Sequence, residues 1–156
     1  MSRKPKVRRT AGDVVAIPLG EGNDVGFGLV LDEPLVVFFD LRVNAEEAPP
    51  VEEIVRSPVA FRIWVMNKPI VDGTWPVIGR VSLSEPMKTK PWFFKQDPLS
   101  GEITIGRTGH EEFPAEPGQA ERLERAAVWS AEHVVDRLKD CFSGRPNKWV
   151  ESLRCK

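Results

Sequence analysis

The segment Gly12 to Leu31, GDVVAIPLGEGNDVGFGLVL, decides how the fold is read. Two apolar, β-branched runs, Asp13 to Ile17 and Val25 to Leu31, flank the polar loop Gly20-Glu21-Gly22-Asn23-Asp24, which is the pattern of a β-hairpin. Pro18 cannot donate to a ladder and therefore belongs at a strand end or an edge. Gly26 and Gly28 mark either a bulge or a place where another backbone or a large side chain comes close. A GxG with no following helix does not cradle a phosphate, so no dinucleotide cofactor is expected.

Downstream, Pro34 to Asp40 (PLVVFFD) is a continuous apolar run too short for a helix, as expected of a central strand covered on both faces. Val59 to Met66, Thr74 to Val81, Trp92 to Phe94 and Glu102 to Ile105 supply further extended pieces, with a turn at Asp97-Pro98-Leu99-Ser100-Gly101. The expectation is an α+β, mainly β chain. About six strands between residues 12 and 107 would form a strongly curved antiparallel sheet or half-open barrel. After Gly118, Ala120, Leu123, Ala127, Ala131, Val134, Leu138 and Cys141 recur at steps of three and four. That spacing predicts one long C-terminal helix over 119–142, stopped by Gly144 and Pro146 and packed on the sheet. On such a helix Trp129 falls opposite the apolar stripe. It is then either covered by the tail Asn147-Lys148-Trp149-Val150 or anchors a binding partner.

At 156 residues the chain reads as a basic flexible arm over 1–10 and a single domain over 11–156. Arg3, Lys4, Lys6, Arg8 and Arg9 precede the first acid; without them 17 of the 22 cations face 23 acids, a net charge near −6. A body of that sign repels phosphate backbones, so a small β-rich nucleic-acid-binding domain using the arm is the lesser alternative. No apolar run reaches the roughly 20 residues needed to span a bilayer, and no signal peptide is recognisable, which points to a cytoplasmic protein with no membrane partner. Cys141 and Cys155 form no disulfide framework and lack metal spacing, so reduced thiols are expected.

Chemistry finds few candidates. The histidines are His110, in a GHEE loop with Glu111 and Glu112, and His133, with Asp136 three residues on at the spacing of ordinary surface pairs. No HExxH, paired CxxC, EF-hand loop or GxxxxGK[ST] is present. The expectation is a protein without catalytic residues, metal or cofactor.

GDVVAIPLG with GFGLVL, then SPVAFRIWV, TWPVIG, KQDPLSGEI, AAVWSAEHVVDRL and PNKWVESL together resemble the immunity protein 26 family of bacterial polymorphic toxin systems, from about Ala11 to Leu153. The resemblance implies a β-rich cytoplasmic protein that binds a cognate protein toxin and blocks it without catalysis. It carries no residue-level binding motif. Nucleases are one class of toxin in such systems, and their clefts carry Lys and Arg, which an acidic inhibitor can occupy. The densest acid lies in the linker NAEEAPPVEE, Asn44 to Glu53, so Glu46, Glu47, Glu52 and Glu53 are the expected toxin-binding residues, with Trp129 as an added anchor.

Overall fold

The computed structural model describes residues 8–156. Strands β1 (Asp13–Pro18) and β2 (Asp24–Val30) form the expected hairpin, in unbroken register from Val14 opposite Leu29 to Pro18 opposite Val25. Gly26 and Gly28 therefore mark no bulge in this pair; they mark close approach. A Cβ on Gly26 would stand 3.4 Å from Leu138 Cδ1, and one on Gly28 would stand 3.2–3.3 Å from Val36, Phe38 and Val15.

The hairpin is the middle of a seven-stranded sheet. β3 (Leu35–Phe39) lies beside β2, and β5 (Val59–Val65) beside β3. β6 (Val77–Arg80) lies beside β1, while the short β4 (Val43–Asn44) pairs with the start of β2. The far edge is β11 (Val128–Trp129), which runs parallel to β5. Alternate side chains leave the sheet in opposite directions. Val15, Ile17, Val36, Phe38, Ile63 and Val65 point into one core, and Val14, Phe27, Leu29, Val37 and Phe39 into another. Both faces are buried, which is why β2 and β3 read as continuous apolar runs rather than as alternations.

Five helices supply much of the cover. On the first face lie α4 (Ala131–Ser143), through Val134 and Leu138, and α5 (Lys148–Ser152), through Trp149 and Val150. Ile70 of α2 (Lys68–Val71) adds to the same core with Trp75. On the second face lie α1 (Val51–Ile54), through the fully buried Ile54, and Met87 of α3 (Glu85–Lys88). A second, four-stranded sheet comprises β7 (Phe93–Gln96), β8 (Ile103–Gly106), β9 (Phe113–Pro114) and β10 (Glu124–Arg125), in the order β10-β7-β8-β9. The class is α+β and mainly β as expected. The sheets, however, are mixed rather than antiparallel, because β10 and β11 pair in parallel, and neither strand order closes into a barrel.

The predicted helix over 119–142 is corrected. Only its second half is helical. Ala120–Arg122 is a 3₁₀ turn, and the chain then runs extended through β10 and β11. Ser130 caps α4, its Oγ accepting from His133 N at 3.4 Å. Small residues such as Ala120 and Ala127 suit a helical stripe, but the edges of β5 and β7 offer this segment backbone partners that an isolated helix would forgo. The helix stop holds: Gly144 is left-handed at φ 66°, and Arg145 N donates to Asp140 O at 2.9 Å.

Trp129 is corrected with it. It is 4% exposed and lies in the first core with Val134 and Leu138, so it is a core residue and not an anchor offered to a partner. The tail does fold back, with Trp149, Val150 and Leu153 packed against the same cluster. Arg9 Nη1 donates to Val65 O and to Asn67 Oδ1, both at 2.9 Å, which fastens Arg9 to the sheet; residues 1–7 of the expected flexible arm lie outside the described residues.

Trp129→Ala is expected to destabilise the fold by about 3–5 kcal/mol through the cavity it leaves, read from urea unfolding. A midpoint equal to that of the parent protein would return Trp129 to the surface.

Candidate functional site

The acidic linker is an ordered ridge. Asn44 Oδ1 accepts from Glu46 N at 3.0 Å and from Asn23 Nδ2 at 3.2 Å. These bonds hold the 3₁₀ turn Ala45–Glu47 against the β1–β2 loop. Pro50 then leads into α1, in which Val51 and Ile54 face the protein while Glu52 and Glu53 face outward. Val51 sits so close to β6 that a Cβ on Gly79 would come within 2.7 Å of Val51 Cγ1. Only glycine allows α1 to lie this near the strand.

Glu46, Glu47, Glu52 and Glu53 are all exposed, and none has an ion-pair partner among the described residues. The neighbouring acids differ. Arg42 bonds Glu21 at 2.8 Å and Asp24 at 2.9 Å, and Lys139 reaches Glu21 at 2.9 Å. Hydrogen bonds from Arg42 and then Lys139 hold the Glu21 carboxyl down to about 2. Asp32 pairs with Lys90 at 3.6 Å, and Glu33 accepts from Asn67 at 2.6 Å. Asp40 lies toward the end of α4, where it adds to the effect of burial in pushing the Cys141 thiol up. These pairings join residues tens of positions apart, and no sequence spacing signals them.

The remaining candidates serve the structure. His133 stacks on Trp149 with ring centroids 3.6 Å apart and an interplanar angle of 16°, and Asp136 Oδ2 accepts the Trp149 indole N–H at 3.0 Å. The expected His133–Asp136 surface pair is thus a clamp that holds α5. In the GHEE loop Glu112 pairs with Lys95, while His110 meets the edge of Trp92. Among the described residues no three His, Cys, Asp or Glu side chains are grouped to hold a metal ion, and no helix is long and apolar enough to cross a membrane.

The Glu21 cluster yields a pH dependence. Its folded pKa lies below its unfolded value of about 4.3, so its contribution is present above that value and lost as pH falls toward 2. Glu21→Gln is therefore expected to lower the urea midpoint at pH 7, with the difference from the parent closing between pH 4 and pH 2. A difference independent of pH would refute the pairing.

The family model described as Immunity protein 26 matches residues 10–103, more than half of the chain. The span takes in the hairpin, β3 to β7 and the whole acidic ridge, whereas the blocks around α4 and α5 lie beyond it. No curated protein and no solved structure matches the chain significantly. With its opening hairpin, central strands and ridge all inside the matched span, this chain belongs to the immunity protein 26 family.

Proposed function

We propose that the protein binds a toxin of a bacterial polymorphic toxin system, in the cytoplasm of the cell that makes it, and neutralises the toxin by covering it rather than by transforming a substrate. Membership of the immunity protein 26 family supports an immunity role. The observation that carries the contact surface is the ridge of four glutamates without an ion-pair partner among the described residues, beside Glu21, Asp24 and Asp32, which are paired. Such a ridge suits a basic cleft, as in a nuclease. It draws a cationic partner in from solution and lies over the residues that would hold phosphate. Because Asn44 caps the turn that carries Glu46 and Glu47, and Gly79 and Ile54 seat the helix that carries Glu52 and Glu53, the backbone under the four glutamates needs little ordering when they bind.

Two measurements test this with toxin domains expressed from the genes that neighbour this one. Replacing Glu46, Glu47, Glu52 and Glu53 together by Gln is expected to slow association about tenfold or more at low salt, with the gap shrinking at high salt as screening removes the attraction. An association rate unchanged at low salt would remove the ridge from the interface. Titration of toxin activity is expected to reach full inhibition near one equivalent of protein. Complete inhibition by a small fraction of an equivalent would reveal turnover instead of covering.

A further inference from the structure

We propose that the cavity where the two sheets meet is a binding site for a planar carboxylate, such as an aromatic acid. Trp64 of β5 and Phe93 of β7 stand with ring centroids 4.8 Å apart. With Ala126, on the segment that crosses between the sheets, they line an apolar side of a cavity of about 260 Å³. That volume lies just under the range usual for drug-sized ligands, which limits an occupant to one or two rings. Flat aromatic walls favour a flat ligand.

The charge on the rim decides the class. Lys95, Arg107 and Glu112 line the cavity, and Glu112 is already held by Lys95. Arg107 has no carboxylate partner among the described residues. Its Nη1 donates to Lys90 O at 3.3 Å, its Nη2 meets His110 Nε2 at 3.2 Å, and its guanidinium carbon lies 4.5 Å from the centroid of Trp92. Arg107 Nε is buried without any acceptor, one of two such atoms among the described side chains. A donor buried without a partner is destabilising, and the Nε–Nη2 edge of a guanidinium matches the two oxygens of a carboxylate. His110 occupies the outer half of that edge. It is exposed and follows Gly109 at φ 85°; its backbone N–H donates to Arg107 O at 3.0 Å, and among the described residues its imidazole makes only the Arg107 contact and an edge contact with Trp92 at 5.6 Å. A carboxylate that displaces the imidazole gains both donors. Nothing at this site depends on whether the acidic ridge engages a toxin.

The test titrates the full-length protein with indole-3-acetate and, separately, with the neutral indole-3-acetamide, following amide and indole NMR shifts. The acid is expected to bind at least tenfold more tightly than the amide, with the largest shifts at the Trp64 indole and the Gly106 to His110 amides. Arg107→Gln is expected to bring the acid down to the affinity of the amide, and Ala126→Leu, which fills the floor, to abolish both. Equal affinities for acid and amide, or shifts centred elsewhere, overturn the proposal on the parent protein alone, whatever the variants do to folding. Repeating the acid titration with one equivalent of the toxin domain separates the two sources of carboxylate. Displacement assigns the site to a side chain of the partner, and retained binding assigns it to a free acid.

Discussion

Burial of the central strands on both faces is the constraint on which the rest of the structure depends. Val15, Val36 and Phe38 point one way, Val14, Val37 and Phe39 the other, and all six are 0% exposed. A sheet with no solvated face needs two covers. One is built from α4, Trp75 and Trp129, and the other from α1, Phe93 and the residues around α3. The first cover comes largely from beyond residue 103, so the span that carries the family match does not hold its own core closed. The C-terminal third is part of the same folding unit.

The segment from Glu124 to Trp129 makes that unit cohere. It pairs with β7 as β10, crosses through Ala126 and Ala127, and pairs with β5 as β11, so one short stretch of backbone belongs to both sheets. Ala126 N donates to Phe94 O at 2.9 Å, and Met66 N donates to Trp129 O at 3.1 Å. Arg137 of α4 then binds both carboxylate oxygens of Glu124 at 2.8 Å and lays its guanidinium over Phe61 at 4.0 Å and Trp129 at 5.0 Å. Helix, crossing segment and large sheet meet at one side chain. The cavity lined by Trp64, Phe93 and Ala126 lies where the two sheets are joined without filling the space between them.

The same architecture sorts the acids. Asp13 is taken by Arg80 at 2.8 Å, Glu21 and Asp24 by Arg42, and Glu124 by Arg137, each a pairing that ties two elements together. Glu46, Glu47, Glu52 and Glu53 have no ion-pair partner among the described residues, although the turn and helix that carry them are firmly seated. A rigid support carrying unneutralised charge is poorly explained by stability, since exposed like charges in proximity repel. It is well suited to meeting a surface of opposite sign.

What the sequence determined by itself is local. The polar loop between two β-branched runs specifies the β1–β2 hairpin, the unbroken apolar run of Leu35 to Phe39 specifies a doubly buried strand, and Gly144 specifies the end of α4. Each depends on backbone preference and near neighbours alone. The density of acid between Asn44 and Glu53 was equally legible, because charge is counted along the chain. Tertiary structure decided the rest. The spacing of Ala120, Leu123 and Ala127 fits a helix until the edges of β5 and β7 compete for the backbone, and those edges lie some 30 to 60 positions away. Trp129 falls opposite an apolar stripe only on the helix it does not join. Which acids remain free, and which donor of Arg107 lacks an acceptor, depends on side chains brought together across the sheets, and no one-dimensional spacing encodes that meeting.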